Sequence, residues 1–343
     1  MGVFKAYVSY KITHSYIKRF QIKNNSCFTL FKTNFQAIFA VANNLVLSTI
    51  KSTVSVASIW TDFKEITKMG LSISVVFSSI AGYFLGAETV DVTTLLLLCF
   101  GGYFMVGASN AYNQIIEKDL DALMDRTKNR PIPAGRMSVN SAFTIAILFT
   151  LAGVATLYII NPRTAMYGAI SIFIYTCMYT PLKTKTPIAV FVGAIPGAIP
   201  FMLGWVAARN DFGIEPGTLF AIQFFWQFPH FWAIGWFLHE DYKKGGFFML
   251  PTGKPDKGTA VQIIMYTVWT VLASIIPVFG FTGDLKLSIV GAIIVFFLGM
   301  VMVYYALQLF KQRTPKAAKQ LMLSSVAYIT LLQIVFVADK FLS

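Results

Sequence analysis

The sequence predicts an all-α, polytopic membrane helix bundle, and three observations support this fold class. Of its 343 residues, 56% are hydrophobic and only 13% are charged, which lies far outside the composition of soluble domains. From residue 70 onwards, apolar runs long enough to cross a bilayer as helices recur, with short connectors between them. Lys and Arg are concentrated in alternate connectors, as expected of a chain that crosses a membrane repeatedly.

Hydropathy predicts about nine transmembrane helices. Most runs have the roughly 20 residues that a helix needs to span the hydrocarbon core, and the fourth is short. Each connector is named below by the two predicted spans that it joins. The predicted spans lie near residues 70–87, 92–112, 141–160, 164–180, 188–208, 217–238, 260–280, 287–309 and 320–338.

The distribution of positive charge predicts the topology and argues against a nucleic-acid partner. A net charge of +13 would by itself be compatible with nucleic-acid binding. However, 24 of the 28 Lys and Arg residues lie before the first span or in connectors 2/3, 4/5, 6/7 and 8/9. The positive-inside rule therefore places the N-terminus and these connectors in the cytoplasm. We expect a multi-pass protein of the bacterial cell inner membrane, and favour this location over the mitochondrial inner membrane.

Residues 1–61 form a basic extension ahead of a membrane domain that comprises residues 62–343. The extension has seven Lys or Arg residues and no acidic residue, and its apolar stretch at 35–50 is interrupted by Asn43 and Asn44. A mitochondrial transit peptide would also be basic and poor in acids, but this segment contains a single arginine. We therefore expect a disordered or membrane-surface extension.

Connector 2/3 opens with polar residues at helical spacing. In a helix, residues four apart share one face. A carboxylate at the centre of the bilayer costs about 2.5 to 3.5 kcal/mol, so such a face must lie at or above the membrane interface. Oxygen ligands on successive turns suit a hard divalent ion, and Mg²⁺ in particular bridges readily to substrate phosphates. The spacing therefore predicts a Mg²⁺ site formed by Asn113, Glu117, Asp121 and Asp125.

Basic residues follow this row directly. Arg126 and Arg130 come next, and the prolines of RPIP at 130–133 end the helix. Guanidinium groups beside a metal-binding acidic face are typical of a diphosphate clamp. The alternative is a solvated helix at the membrane surface, whose acids pair with nearby cations at helical spacing. We favour the diphosphate site because the other connectors contain few acids.

Connector 6/7 has a similar composition and lies on the same predicted side of the membrane. It runs HEDYKKGGFFMLPTGKPDKG from residue 239 to 258, and its acids, cations and paired glycines could approach a ligand closely. Taken alone, this composition would suit many loops. Together with connector 4/5, it supplies Asp241 as a candidate metal ligand and Lys183, Lys185, Lys243 and Lys244 as candidate diphosphate contacts.

These segments resemble a known family, the intramembrane prenyltransferases of the UbiA type. Asn113, Glu117 and Asp121 match its first signature, with glutamate where aspartate is usual. Within that family the chain is most similar to the protoheme IX farnesyltransferases, or haem O synthases. The resemblance extends from about residue 52 to the C-terminus. It includes DFKEITK at 62–68, EKDLDALMDRTKNRPIP at 117–133, YTPLK at 179–183, GAIPGAIPFMLGW at 193–205, WQFPHFWAI at 226–234 and EDYKKGGFFMLP at 240–251.

The resemblance implies a UbiA-type bundle of nine helices that converts farnesyl diphosphate and haem B into haem O and pyrophosphate. Mg²⁺ would be the cofactor, and haem B a substrate. The resemblance leaves a haem A synthase or an oxidase assembly factor open as a protein partner, besides the lipid bilayer. One departure concerns the second metal: many relatives have a second acidic pair spaced by four, whereas here Gly245 stands four residues after Asp241.

The resemblance also points to a haem surface on the sixth span. His230 lies there after Pro229, among aromatic side chains, and imidazole is a natural ligand of haem iron. The alternative is a buried histidine that is hydrogen-bonded to a neighbouring helix. An ionisable residue inside a span favours function, so we predict that His230, Trp226 and Trp232 contact haem.

Two other functions fit parts of the sequence. A prenyltransferase of the same fold could act on a different aromatic acceptor, such as a quinone precursor. A cation-coupled transporter could use the acidic row to bind its ion, but it would be expected to have broken helices and charges within its spans. The spans here are nearly uncharged, so we favour the prenyltransferase.

Overall fold

The computed structural model describes residues 56–342, and side chains from residue 58 onwards. By compactness the chain divides into two units, Met1–Thr61 and Asp62–Ser343. The prediction for the N-terminal extension therefore falls mostly outside the described residues. The last residues of the extension, from Val56, begin a short helix, α1 (Val56–Ile66).

Nine long helices follow within the described residues, as hydropathy predicts. They lie within a few residues of the predicted spans. They are α2 (Met69–Gly86), α3 (Val92–Ile116), α5 (Val139–Ile160), α6 (Pro162–Leu182), α7 (Ile188–Arg209), α8 (Ile214–Phe237), α10 (Lys257–Phe279), α11 (Ile289–Gln312) and α12 (Pro315–Leu342). Two short helices, α4 (Lys118–Asp121) and α9 (His239–Lys244), lie in connectors 2/3 and 6/7.

Eight of the nine long helices within residues 56–342 are apolar enough and long enough to cross a membrane. Helix α8 is the exception, although it has 24 residues. Its Gln223, Gln227 and His230, together with two prolines, lower its hydropathy. Because α8 packs against α7, α10 and α12, its polar residues face protein rather than lipid along much of its length.

The long helices pack in chain order into a closed ring. Each one contacts the next along the sequence, and α12 returns to pack against α2. Further contacts cross the ring between α2 and α7 and between α8 and α12. Connector 6/7 is hydrogen-bonded to connectors 2/3 and 4/5, and an ion pair joins connector 2/3 to connector 4/5. We call the end of the bundle that carries these connectors the site face.

Helices α2 and α7 cross in direct backbone contact. A Cβ on Gly82 would overlap the Phe201 carbonyl, and a Cβ on Gly204 would overlap the backbone of Ser79 and Tyr83. Small residues allow such close approach, which is the usual basis of helix association within lipid. This crossing holds α2 against α7, most of whose residues are buried.

Two irregularities occur where helices approach the site face. Helix α6 becomes π-helical over Ile174–Tyr179, a feature that is frequent at functional sites. Helix α3 ends at Ile116, and after α4 the chain continues in turns from residue 122. The prediction of one helix continuing through the whole acidic row was therefore wrong beyond Asp121.

Candidate active site

Three members of the predicted row come together at the site face. Asn113, Glu117 and Asp121 are 2%, 3% and 0% exposed. Backbone hydrogen bonds of 3.0 Å from Glu117 N to Asn113 O and of 2.7 Å from Asp121 N to Glu117 O keep them four residues apart on one side of the chain. Two buried carboxylates on adjacent turns repel each other unless cations compensate them, and two cations do lie beside them.

Helix α6 supplies partners for the first two residues of the row. The Asn113 amide donates to Thr180 Oγ1 at 3.2 Å. Lys183 Nζ lies 2.7 Å from Glu117 Oε1 in a buried ion pair, but the approach lacks hydrogen-bond geometry, so this oxygen has a counter-ion and no hydrogen bond. The same amine lies 4.5 Å from the centre of the Tyr179 ring and 5.6 Å from that of Phe247. Two aromatic rings thus lie beside this cation and can stabilise its charge.

Asp121 is paired on one oxygen only. Arg130 Nη1 donates to Asp121 Oδ2 at 2.6 Å, while the buried Oδ1 has no hydrogen-bond partner among the described residues. Burial raises the pKa of the Asp121 carboxyl above its usual value, and the charge and hydrogen bond of Arg130 oppose this rise. An ionised carboxylate with one oxygen unpaired is an arrangement suited to receive a cation.

Lys68 is a site residue that the sequence analysis missed. It lies at the α1–α2 junction with a left-handed backbone, φ 45°. Helix α3 holds this junction: Gln114 donates to the Glu65 and Ile66 carbonyls at 3.0 and 2.9 Å, and Asn110 donates to the Thr67 carbonyl at 3.3 Å. A lysine directly before a span was visible in DFKEITK, but only the fold brings it to the acidic row.

The electrostatic environment of Lys68 reflects this position. Burial, together with the nearby charges of Arg130 and Lys183, lowers the pKa of its amine to about 7, while Glu117 opposes this fall. Cations that lie close together repel one another, and an anion that binds among them relieves this repulsion. The site therefore has an excess of positive charge around its two carboxylates.

The structure does not bring Asp125 into the row. Because the helix ends at Asp121, the Asp125 side chain is 64% exposed and pairs with Lys128 at 2.7 Å and with Lys244. These two lysines lower the pKa of the Asp125 carboxyl to about 2. Asp119 likewise pairs with Lys118 in solvent. The alternative of a solvated, ion-paired surface thus describes Asp119 and Asp125, but not the buried Glu117 and Asp121.

The remaining predicted residues lie around the row at different depths. Asp241 faces the backbone of residues 125 and 126, and its carboxylate accepts hydrogen bonds from their N–H groups at 2.7 and 3.3 Å. Arg126 is exposed, with its guanidinium 5.7 Å from the centre of the Tyr242 ring. Lys185, Lys243 and Lys244 are exposed as well. Among the described residues, Arg130 and Lys183 form the ion pairs with the row itself.

The three residues predicted to contact haem do not share one surface. His230 stacks on Trp226 at 4.7 Å, its Nδ1 lies 2.9 Å from Ser325 Oγ, and Trp226 Nε1 donates to the Ser325 carbonyl at 2.6 Å. This side of α8 faces α12. Trp232 lies on the other side of the helix, 5.1 Å from the Tyr266 ring of α10. The buried Trp232 indole N–H has no hydrogen-bond partner among the described residues.

The row satisfies one test for a divalent metal ion and limits its ligand set. In favour, Asp121 Oδ1 is a buried oxygen with no hydrogen bond, beside a second carboxylate and an amide. Against a cage made of protein alone, residues 58–342 contain no group of three His, Cys, Asp or Glu side chains arranged around a common point. The donors therefore fit an ion such as Mg²⁺, which retains waters and takes further oxygens from substrate phosphates.

Comparison with known proteins identifies the class of this bundle. The UbiA prenyltransferase family matches residues 75–332, about three quarters of the chain. The chain belongs to this family, and is therefore a polytopic membrane prenyltransferase. This assignment confirms the resemblance drawn from the signature segments and removes the transporter from consideration.

Relatives with assigned activities are highly similar along most of the chain. The protoheme IX farnesyltransferase of Christiangramia forsetii is 73% identical over 286 residues, which cover 83% of this chain and 95% of the relative. That of Flavobacterium psychrophilum is 69% identical over 299 residues, covering 86% of this chain and all of the relative.

Solved structures share the fold at low sequence identity. A digeranylgeranylglyceryl phosphate synthase superposes with a TM-score of 0.68 at 18% identity, covering 82% of this chain and 98% of the other. A UbiA homolog from Archaeoglobus fulgidus, bound to DMAPP and Mg²⁺, superposes with a TM-score of 0.63 at 15% identity, with the same coverage. These superpositions confirm the predicted UbiA-type bundle.

Proposed function

We propose that the protein transfers the farnesyl group of farnesyl diphosphate to a vinyl group of haem B, with addition of water, giving haem O and pyrophosphate. The observation that carries this proposal is the buried row of Asn113, Glu117 and Asp121, in which cations flank carboxylate oxygens that lack hydrogen bonds. High identity to protoheme IX farnesyltransferases supports the choice of donor and acceptor.

Mg²⁺ is the proposed cofactor, held by Glu117 and Asp121 with the amide oxygen of Asn113. When bound, it would neutralise the diphosphate and stabilise the charge that develops on this leaving group. The Asn113 amide nitrogen already donates to Thr180, which turns its oxygen away from α6. Mg²⁺ bound to the Archaeoglobus fulgidus homolog of the same fold supports this assignment.

Arg130, Lys183 and Lys68 are the proposed diphosphate contacts closest to the row, and Arg126 is one at its solvent edge. Arg130 and Lys183 each neutralise one carboxylate in the absence of substrate. Arriving diphosphate offers these cations a second anion, so they can hold the leaving group without moving far. Lys68 also gains from this charge, because burial and the neighbouring cations disfavour its own positive charge.

The prenyl chain needs a dry surface beside the row. Loss of diphosphate leaves an allylic cation that water would capture too early. The Tyr179 and Phe247 rings lie beside the Lys183 amine, and the Tyr175 ring lies 5.1 Å from that of Tyr179. Their faces can stabilise passing positive charge and exclude water.

The proposed haem surface lies on α8, where Trp226 and His230 face α12. The Ser325 hydroxyl holds His230 Nδ1, and the stacked Trp226 fixes the plane of the ring. Nε2 is then the nitrogen that can approach haem iron. Trp232 faces α10 and therefore lies outside this proposed surface.

The proposed location is the bacterial inner membrane, with the site face toward the cytoplasm. The alternation of Lys and Arg between connectors supports this orientation. Both substrates would then enter from the side on which the basic connectors lie. A haem A synthase or an oxidase assembly factor is the class of partner that would consume the product.

Product analysis tests the function directly. Membranes containing the protein are incubated with haem B, farnesyl diphosphate and Mg²⁺, with and without chelator, and the haem product is identified by its mass. Haem O formed only with metal is expected. A prenylated product from a quinone precursor but none from haem B would support the other aromatic acceptor and overturn the proposal.

A further inference from the structure

Asp241 has a position that differs from its predicted role as a metal ligand. Its carboxylate points to the start of the arginine loop, residues 122–137, which carries Arg126 and Arg130. Asp241 Oδ1 accepts from Asp125 N at 2.7 Å, and Oδ2 accepts from Arg126 N at 3.3 Å. Both oxygens are thus used by backbone N–H groups, which are strong partners for an ionised carboxylate.

Connector 6/7 reinforces this attachment at several points. Lys244 forms an ion pair with the Asp125 side chain. The Tyr242 ring lies 5.7 Å from the Arg126 guanidinium, and Gly245 packs on the fully buried Met124. Four neighbouring residues of one connector therefore contact three consecutive residues of the arginine loop.

The opposite end of the arginine loop is attached to α1. Arg136 donates to Asp62 at 2.7 Å, forms a second ion pair with Glu65, and donates to the Asn129 carbonyl at 2.8 Å. Between the two attachments, Thr127 donates to the Asp121 carbonyl at 2.9 Å. The loop is thus held at both ends, and Arg130 lies between them.

Connector 6/7 also holds connector 4/5. Phe248 N donates to the Lys183 carbonyl at 2.7 Å, and the Phe247 ring lies beside the Lys183 amine. The same short segment, residues 241–248, therefore contacts the two loops that supply the counter-ions of Asp121 and Glu117. A change in its position would move both cations relative to the row.

We propose that Asp241 is a positioning residue that fastens the arginine loop, rather than a ligand of a second metal ion, and that residues 241–248 set the spacing of Arg130 and Lys183 around the row. This inference rests on the proposed function in one respect: the anion that Arg130 and Lys183 bind is a diphosphate. Gly245 supports it: a Cβ there would lie 3.0 Å from Met124 Sδ, so a larger side chain four residues after Asp241 would crowd Met124, which packs beneath the start of the loop.

Hydrogen exchange on the purified, metal-free protein tests the fastening without any reaction. In Asp241→Ala, we expect the amides of Asp125 and Arg126 to exchange about tenfold faster than in the parent, because each loses a charge-assisted hydrogen bond. Asp241→Asn keeps one acceptor oxygen and should give an intermediate rate. Glu240→Gln, which changes the adjacent exposed acid, is the matched control and should leave these amides unchanged.

Kinetics separates positioning from metal binding. For Asp241→Asn, we expect the KM for farnesyl diphosphate to rise about tenfold, with the Mg²⁺ concentration for half-maximal rate within about twofold of the parent. Unchanged exchange in Asp241→Ala without metal would overturn the proposal, as would a tenfold higher Mg²⁺ requirement in Asp241→Asn. If the parent forms no haem O, the proposed function fails, while the exchange result still decides the role of Asp241.

Discussion

The two ends of the bundle use buried polar groups in different ways. At the end opposite the site face, Arg209 donates to the Gly86 carbonyl at 2.8 Å and pairs with Glu88 at 2.8 Å and Asp284 at 3.5 Å. Lys340 donates to the Phe84, Leu85 and Ala87 carbonyls at 2.9, 2.9 and 2.6 Å. Both cations thereby satisfy the C-terminal carbonyls of α2, where a positive charge is favourable.

At the site face, by contrast, the carboxylates are more deeply buried and less completely paired. Asp121 Oδ1 has no hydrogen bond, and Glu117 Oε1 has only an ion pair. Leaving such a group unsatisfied costs on the order of 1–3 kcal/mol or more. The comparison teaches that charge at a membrane surface is weak evidence of function, whereas buried charge that the protein itself leaves incompletely satisfied is stronger evidence.

Removing the incompletely paired carboxylate should have the largest effect. We expect Asp121→Ala to reduce haem O formation by about 10³-fold or more, because the proposed metal ion loses a ligand and Arg130 loses its counter-ion. The rate is measured in membranes with equal amounts of inserted protein. Haem O formation at the parental rate would contradict the metal assignment.

Removing a cation from the row should have the next largest effect. Lys183→Met keeps a long apolar chain against Tyr179 and Phe247 but leaves Glu117 buried without its counter-ion. We expect a loss of about 10²-fold in kcat/KM, equivalent to the roughly 3 kcal/mol typical of a broken buried pair. Lys185→Met, which changes an exposed lysine two residues further on, is the control and should change kcat/KM less than threefold. Equal losses of kcat/KM in both variants would show that burial does not determine which lysine of this connector contributes to the reaction.

The pH dependence of diphosphate binding should be smaller and specific to Lys68. The pKa of its amine is lowered to about 7, so the amine loses its proton, and its attraction for an anion, as pH rises through that value. We expect the affinity for pyrophosphate to fall about tenfold more between pH 6.5 and 8.5 in the parent than in Lys68→Arg, which stays charged. Binding is measured calorimetrically in both. Identical profiles would show that Lys68 does not contact the anion.

A substitution at the opposite end should affect stability alone. Lys340→Met removes the donor to three carbonyls of α2, and we expect the apparent melting temperature in detergent to fall by about 2–4 °C. The KM and kcat for haem O formation should remain within about twofold of the parent. If Lys340→Met changed KM or kcat strongly without lowering the melting temperature, the two ends of the bundle would not differ in function as described.

The sequence was sufficient to predict the bundle, since hydropathy located all nine long helices of the described residues, including α8 with its glutamines and histidine. It also predicted the spacing of Asn113, Glu117 and Asp121, because backbone hydrogen bonds between residues four apart continue after α3 ends. It did not predict that the chain turns after Asp121. The prolines at 131 and 133 suggested a later end, and the departure of Asp125 depends on pairing with Lys244 in a distant connector.

The partners within the site were harder to predict for a physical reason. Lys68 and Lys183 lie far from the row in sequence and approach it only because α3 holds the α1–α2 junction and α6 packs beside α3. The sequence alone could not show that Lys183 and Lys185 have different roles. Lys183 is buried and Lys185 is exposed, and this difference arises only when the chain folds. Trp226 and Trp232 present a similar case, because their six-residue separation along α8 directs one to α12 and the other to α10.

The π-helical turn of α6 determines where this arrangement tolerates a change in chain length. Hydrogen bonds in Ile174–Tyr179 span five residues rather than four, so the segment holds one residue more than an α-helix would over the same turn. Deleting one residue elsewhere in α6 would rotate Thr180 and Lys183 by about 100° around the helix axis. Deleting one residue within Ile174–Tyr179 would instead restore a regular helix and leave these two side chains directed at the row.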